Sequence, residues 1–158
     1  MLDTQTFTTV IHSTPLVSID LCLVCDDQLL LGKRRNEPLK EQWFTPGSRI
    51  LKNESWQRCL SRVALSELGL NVIDVGQFTL MGIWDHFYDN SVIDETISTH
   101  YVNLPHYCEL KEKPKLIVDD QHYNLVWFDL EEITISNGFS EYMHNYSTWL
   151  ISRKVKND

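Results

Sequence analysis

A loop, an amphipathic helix and a helix stop follow one another between residues 48 and 70, and this stretch constrains the fold more than any other. Apolar residues recur at the spacing of one helix face, at Trp56, Cys59, Leu60, Val63 and Ala64. Asn53 or Ser55 can accept a hydrogen bond from the first free backbone N–H groups. Gly69 tolerates the positive φ at which many helices end. The pattern predicts a helix that ends at Leu68 and buries one face.

Glu67 falls on the buried face of this helix. It lies four residues after Val63 and seven after Leu60, so its side chain points along the apolar stripe. A carboxylate in that position needs a partner, because burying an unpaired charge is costly. A divalent cation is one partner and an arginine is another, and helix geometry alone leaves both open.

The same stretch resembles the Nudix box. The matching residues are Glu54, Arg62, Ala64, Glu67, Gly69 and Leu70. Ser48 stands where the box has its first glycine, and Val63 and Ser66 replace two glutamates. This loss of box residues is similar to that in the GDP-mannose mannosyl hydrolase branch of the Nudix family, which keeps the last glutamate and lacks the same two.

Other segments of the chain match that branch in the same order. They read STPLVS, LLGKR, HFYD and THYV, followed by the pair Gln121-His122. The resemblance implies an α/β Nudix fold, with a mixed β-sheet sandwiched between α-helices (α/β/α), as a single domain over residues 1–158. It also implies a homodimer whose N-terminal segment helps to form the nucleotide site.

Residue patterns place the secondary structure around the box. The predicted strands are 16–24, 28–34, 77–85, 99–104 and 125–128, with 107–110 as a further strand, 71–75 as a short extended segment, 86–98 as a polar insertion and 116–121 as a loop. Apolar residues at helical spacing predict an amphipathic C-terminal helix over 139–154. Strands mixed with two helices indicate a layered α/β domain.

Composition limits the partners. The formal net charge is −8, so no global positive field attracts nucleic acid or an anionic membrane. An acidic protein that handles an anionic nucleotide therefore needs local arginines and a metal. No apolar run is long enough to span a membrane and no secretory signal is visible, which makes the cytoplasm the expected location. The four cysteines are expected to be packed and reduced.

The resemblance implies a Mg²⁺ site, with Mn²⁺ as an alternative ion. Its ligands would be the backbone carbonyl at Gly47, the Glu67 carboxylate and the Gln121 amide oxygen. These are weak ligands, so the ion would keep water molecules and also bind substrate phosphate oxygens. Two of the box glutamates are absent, so a multi-metal carboxylate cluster is hard to assemble.

The reaction that the resemblance implies is hydrolysis of a GDP-sugar, GDP-mannose or GDP-glucose, to GDP and free sugar. Water would attack the anomeric carbon with inversion, His122 would act as the base, and GDP would leave. The other implied catalytic residues are Arg49, Asp20, Tyr101 and His86, and the implied substrate-binding residues are Leu2, Phe7 and Arg34. Two alternatives stay open: a Nudix pyrophosphatase that cleaves the phosphoanhydride, and a silent module that binds a nucleotide sugar.

Taken without the resemblance, these residues have plainer interpretations. Arg34 and Arg49 can be solvated surface charges, although both flank one loop at a helix entrance. His122 can be a surface residue, and Phe7 and Tyr101 can be core residues. Two further departures from the branch, a glutamine replaced by Asp85 and a tyrosine replaced by Leu125, put the preferred sugar in question.

Overall fold

The computed structural model describes residues 2–70, 77–118 and 122–157, and within them four helices and eight strands form. The helices are α1 (Thr4–Ser13), α2 (Trp56–Leu68), α3 (Leu130–Ile135) and α4 (Glu141–Asn157). The strands are β1 (Leu16–Cys25), β2 (Gln28–Arg34), β3 (Trp43–Phe44), β4 (Gly47–Arg49), β5 (Thr79–Leu80), β6 (Trp84–Tyr88), β7 (Thr99–Glu109) and β8 (His122–Asp129).

All the strands belong to one mixed sheet. Its central order is β3-β2-β1-β7-β5, with β4 paired to β1, β6 to β7 and β8 to β2. The long pairing of β1 with β7 is parallel, and the other pairings are antiparallel. The two longest strands therefore lie side by side at the centre, where both of their faces can be covered.

Two apolar clusters cover the two faces of the sheet. On one face, β1 and β2 pack against α2 through residues such as Ile19, Leu30 and Val63. On the other face, the same strands pack against α3 and α4 through residues such as Leu31 and Met143. Residues of one strand alternate between the clusters, as the pleat requires. The α/β/α layering predicted from the sequence is confirmed.

The box helix forms as its sequence predicts. The Ser55 side chain accepts from Arg58 N at the start of α2, so Ser55 rather than Asn53 is the N-cap. Gly69 ends the helix in the left-handed region at φ 66°, and its N–H bonds the last turn. Leu70 N donates to the Ala64 carbonyl at 3.1 Å, which satisfies another free carbonyl of the helix end.

Several predicted boundaries are wrong. The strand predicted over 125–128 is β8, which runs from His122 to Asp129. The strand predicted over 77–85 is two short strands, β5 and β6, and β6 runs through His86 to Tyr88, so the polar insertion begins only at Asp89. The strands predicted at 99–104 and 107–110 are one strand, β7, which continues through Pro105. Proline has no N–H to donate, but the Pro105 carbonyl accepts from Met81 N at 2.9 Å, so its backbone is still tied to the sheet.

Two helices were not predicted. One is α1, which Asp3 caps by accepting from Thr6 N at 2.9 Å. The other is α3, a single short turn after β8. The predicted C-terminal helix is confirmed, although it begins at Glu141 and runs to Asn157. The extended segment predicted at 71–75 lies outside the described residues.

The cysteines agree with the sequence expectation. Cys22, Cys25, Cys59 and Cys108 are all buried free thiols. In the described ranges, no helix has the length and apolar character needed to cross a membrane.

Candidate active site

A cavity of about 490 Å³ opens at the ends of the central strands. Its walls come from α1, from β1, β2, β3, β4, β6 and β7, and from the segments that follow β2, β3 and β6. The lining residues include Phe7, Ser18, Asp20, Arg34, Glu37, Leu39, Phe44, Thr45, Gly47, Arg49, His86, Tyr88, Val92 and Tyr101.

Seven of the residues implied by the resemblance line this one cavity. They are Phe7, Asp20, Arg34, Gly47, Arg49, His86 and Tyr101. Leu2 is 49% exposed and does not line it. The structure therefore brings most of the implied site together, while the chemical role of each residue stays a prediction.

Two arginines supply positive charge at one side of the cavity. Arg34 Nε donates to the Pro38 carbonyl at 2.9 Å, which fixes the guanidinium at the end of β2. The Arg49 guanidinium lies 3.8 Å from the centre of the Phe7 ring, so α1 holds it by a cation–π contact. Burial raises the pKa of the Tyr101 phenol, and both arginines oppose that rise. A neutral phenol and two fixed cations thus face the same space.

Asp20 is a buried carboxylate at the cavity wall. Its Oδ2 accepts from the Tyr146 hydroxyl at 2.5 Å and from Asn103 Nδ2 at 2.8 Å. Ser18 in turn donates to Asn103 Oδ1 at 2.9 Å. Burial raises the pKa of Asp20 to about 6, although the bonds from Tyr146 and Asn103 pull it down. The group therefore still carries a negative charge at neutral pH.

His86 also lines the cavity, as a neutral imidazole. The side chain is 3% exposed, and burial lowers its pKa to about 4. The Tyr88 hydroxyl lies 3.4 Å from Nδ1, whereas Nε2 has no hydrogen-bond partner among the described residues. Buried polar atoms are normally paired, so this ring nitrogen is an exception in a residue that lines the cavity.

Glu67 lies behind the cavity wall, directly against Gly47. It is 1% exposed, and Gly47 N donates to its Oε2 at 3.1 Å. A Cβ on Gly47 would overlap Asp20 Oδ1, so only glycine lets the backbone run this close. The prediction that Glu67 follows the buried face of α2 is confirmed.

The Glu67 carboxylate and the backbone at Gly47 are donors of the kind that a hard cation binds. Among residues 2–70, 77–118 and 122–157, no three His, Cys, Asp or Glu side chains converge on a point that could hold a metal. The donors that the structure describes are the buried Glu67 carboxylate and the backbone beside it at Gly47. Such a set suits an oxygen-binding ion that completes its shell with water and phosphate.

The other box residues organise the loop before α2. Arg62 forks onto Glu54, with Nε–Oε1 at 2.7 Å and Nη2–Oε2 at 2.8 Å, and Nη2 also donates to the Arg49 carbonyl at 3.0 Å. These hydrogen bonds lower the pKa of Glu54 to about 2. Ser48 lies in β4 without a positive φ, so the serine causes no backbone strain there.

The predicted base, His122, and the third predicted metal ligand, Gln121, lie at a gap in the described residues. Gln121 lies outside the described residues. The backbone of His122 begins β8 and pairs with Arg34 of β2, at the edge of the cavity. The roles of both residues stay predictions.

The two remaining departures face away from the cavity. Asp85 Oδ1 accepts from His100 Nε2 across the strand pair at 2.8 Å. Leu125 packs against the apolar cluster under α2.

Sequence reasoning missed the contribution of the C-terminal helix. The spacing that predicts an apolar face for this helix includes Tyr142 and Tyr146, yet Tyr146 bonds Asp20 and Tyr142 bonds the backbone of Phe87, next to His86. Asn103, 83 residues from Asp20, was not singled out. The available signal was chemical, because a buried tyrosine hydroxyl or asparagine amide must find a partner.

Comparison with known proteins identifies the fold family. A family model described as the NUDIX domain matches residues 15–150. The low-salt glycan biosynthesis protein Agl8 of Haloferax volcanii is 38% identical over 120 residues, which cover 76% of this chain and 74% of Agl8.

Solved structures give the same result for the fold. A MutT NUDIX hydrolase from Burkholderia pseudomallei superposes with a TM-score of 0.69 at 24% identity, covering 87% of this chain and 98% of that one. The NUDIX domain of Shewanella oneidensis NrtR, solved with ADP ribose, superposes with a TM-score of 0.68 at 14% identity. The match covers 97% of this chain and 99% of that one.

Proposed function

This chain belongs to the NUDIX domain family, and from that premise we propose that it hydrolyses a GDP-sugar, GDP-mannose or GDP-glucose, to GDP and free sugar. The observation that carries the proposal is the make-up of the cavity. Two guanidinium groups share it with Tyr101 and with the buried side chains of Asp20 and His86, while Glu67 is a buried box carboxylate behind it. The cavity is therefore better equipped to hold a diphosphate and a sugar than to gather metals around a phosphorus atom.

The reaction is a single displacement at carbon. The oxygen of water bonds to the anomeric carbon, and the bond from that carbon to the β-phosphate oxygen breaks. GDP leaves with the bonding electron pair, and the proton of the attacking water passes to the base, for which we assign His122. Attack on the face opposite the leaving group inverts the configuration. A diphosphate leaves as a stable anion, so no acid catalyst is needed.

The cations of the cavity act on the leaving group. Negative charge grows on the β-phosphate as the glycosidic bond breaks, and fixed positive groups are worth most where charge develops. Arg34 and Arg49 are held in place by Pro38 and Phe7, so little reorganisation is needed during the reaction. The protonated phenol of Tyr101 can donate to the same phosphate.

Asp20 and His86 are assigned to the sugar. A carboxylate accepts from sugar hydroxyls, and the unpaired ring nitrogen of His86 offers one further polar contact. Leu2 and Phe7, near the N-terminus, are assigned to the nucleotide base. A homodimer completed by that segment and a cytoplasmic location remain predictions.

A divalent ion belongs to this proposal. Nudix hydrolases generally use Mg²⁺ or Mn²⁺, and the Gly47 carbonyl, Glu67 and Gln121 are the residues that would hold one. When bound, the ion would neutralise charge on the diphosphate. The name of the Haloferax relative refers to glycan biosynthesis, which supports a sugar nucleotide as the substrate class.

Hydrolysis of GDP-mannose in ¹⁸O-labelled water, with Mg²⁺ present, tests the proposal. Mass analysis should find the label in free mannose and none in GDP. Label in GMP or mannose phosphate would mean attack at phosphorus and would replace the proposal by a pyrophosphatase. The absence of turnover with any GDP-sugar would leave only the nucleotide-sugar-binding module.

The assignment of the base has its own matched control. His122→Gln should lower kcat by 10²-fold or more, since general base catalysis is typically worth about that much. His12→Gln makes the same change at an exposed position on α1 and should leave kcat unaltered. Equal activity of the two variants would remove His122 from the mechanism.

A further inference from the structure

One face of α4 reaches from the apolar core to the cavity residues. Tyr142 and Tyr146 are one helical turn apart on that face, inside the cluster that α4 forms with the sheet. A phenylalanine would fill nearly the same volume. The two hydroxyl groups therefore need a reason other than packing, because each must find a polar partner in a mostly apolar layer.

Tyr146 fixes the carboxylate of Asp20. Its ring is fully buried, and its hydroxyl donates to Asp20 Oδ2 at 2.5 Å. Asn103 donates to the same oxygen and also contacts the Tyr146 hydroxyl. The bonds from Tyr146 and Asn103 thus both use Oδ2. The other oxygen, Oδ1, lies beside Gly47 in the cavity wall.

Tyr142 fixes the ring of His86. The two rings stack with centroids 3.9 Å apart and planes 28° apart. The Tyr142 hydroxyl accepts from Phe87 N at 2.8 Å and donates to Phe87 O at 3.0 Å, so it also ties the free edge of β6. The ring plane of His86 is therefore set from α4, and its unpaired Nε2 is held in one direction.

The other side of the cavity is held differently. Arg49 and Phe7 contact each other, and in the described part of the chain neither has a hydrogen bond or ring contact with α4. Arg34 is fixed by Pro38 in its own loop. The helix thus supports the side of the cavity that holds Asp20 and His86 but not the side that holds the arginines.

We propose that Tyr146 and Tyr142 are positioning residues for sugar recognition, which hold Asp20 and His86 so that the cavity distinguishes a GDP-sugar from GDP. The inference rests on the proposed function, because it takes these two residues to face the sugar. If so, recognition of the sugar and recognition of the diphosphate can be separated by mutation. Removing either hydroxyl should weaken selection for the sugar and leave recognition of the diphosphate intact.

Kinetics with Tyr146→Phe test this split. The variant should lose about tenfold or more in kcat/KM for GDP-mannose, since hydrogen bonds to charged groups are among the strong ones. The Ki of GDP as a competitive inhibitor should stay within about twofold. Tyr142→Phe keeps the stacked ring and should show the same split with a smaller loss. Trp149→Phe changes another α4 aromatic, one that packs on Tyr107, and should change neither constant.

Two results would overturn the inference. A parallel loss of kcat/KM and of GDP affinity in Tyr146→Phe would mean general damage to the site, and no change in either would mean that the hydroxyl has no role. A double-mutant comparison adds a test that tolerates reduced stability. On an Asp20→Asn background, Tyr146→Phe should cost little further kcat/KM, because it acts through Asp20, and a full additional loss would contradict that route.

Failure of the proposed function remains separable from failure of this inference. Where the wild-type protein shows no turnover, calorimetric Kd values for GDP and GDP-mannose replace the kinetic constants. The same split between the two ligands supports the positioning role in a binding module. The inference is rejected if neither ligand binds. It is also rejected if both ligands bind and the tyrosine variants do not alter the preference between them.

Discussion

Gly47 is the residue at which the site tolerates the least change. A Cβ there would overlap Asp20 Oδ1 and lie 2.6 Å from the Ile19 carbonyl oxygen. The neighbouring atoms belong to the central strand β1, which cannot move aside easily. The requirement is for space, not for an unusual φ, so it follows from the pairing of β4 with β1 and cannot be read from a Pro-Gly pair alone.

Gly47→Ala should therefore lower both stability and activity. We expect a loss of about 1–3 kcal/mol in the free energy of unfolding, the usual range for overpacking a fixed site, together with loss of GDP-mannose hydrolysis. Urea denaturation and a product assay measure the two effects. Gly138→Ala is the control, because its Cβ would meet nothing closer than Ser136 Oγ at 3.4 Å. A Gly47→Ala protein with normal stability and turnover would contradict the close approach.

At the scale of elements, the fork between Arg62 and Glu54 joins α2 to the loop that precedes it. Because Arg62 also binds the Arg49 carbonyl, the helix holds the backbone of a residue whose guanidinium lies in the cavity. These two box residues thus have a structural role in this chain that does not depend on a metal. That role is consistent with their presence while two of the other box glutamates are absent.

A double-mutant cycle should measure this connection. Glu54→Gln and Arg62→Met should each destabilise the protein, with a coupling of about 1–2 kcal/mol, within the range for paired residues in contact. Both changes should also raise the Ki of GDP, since Arg49 loses an anchor. The control pair is Lys33 and Glu41, which are 3.8 Å apart at the surface and should couple by less than about 0.5 kcal/mol. Additive effects at the first pair would contradict the connection.

The elements that the sequence predicts well are those with local signals. The capped periodicity of α2 and the apolar run of β2 set their own bounds. The extent of β7 depends on its nine-residue pairing with β1, which is a tertiary property. The helix α1 did carry a local signal, an Asp3 cap followed by apolar residues at helical spacing, but β-branched residues in that segment made it weak.

The residues of the site also divide into those with a local sequence signal and those set by tertiary contacts. Short motifs indicated most of these residues, because each motif is a local stretch of sequence, and the structure brings seven of them to one cavity. The bond from Tyr146 to Asp20 joins residues 126 positions apart, and no local pattern encodes it. Periodicity could show that Tyr146 faces inward, but only the packing of α4 on β1 selects its partner.

At the scale of the whole molecule, two buried titrating groups link the site to global stability with opposite signs. Burial lowers the pKa of His86 from 6.5 to about 4, so between those values the unfolded chain takes up a proton that the folded chain does not. Stability from this group is lost as the pH falls through that range. Burial raises the pKa of Asp20 to about 6, so the folded chain takes up a proton first and gains stability over a similar range.

The His86→Gln variant should separate the two effects. Without the imidazole, the variant does not lose the stability that His86 costs the wild type at low pH. The contribution of Asp20 stays in both proteins. The stability of the variant relative to the wild type should therefore rise by about 2 kcal/mol between pH 7 and pH 5. Urea unfolding at pH 5, 6 and 7 in metal-free buffer measures this difference. His12→Gln, at an exposed position, should run parallel to the wild type. If His86→Gln also ran parallel, then His86 would have to titrate as it does in the unfolded chain. A ring stacked under Tyr142 and closed off from water could not do so, and the arrangement of α4 against β6 would be wrong.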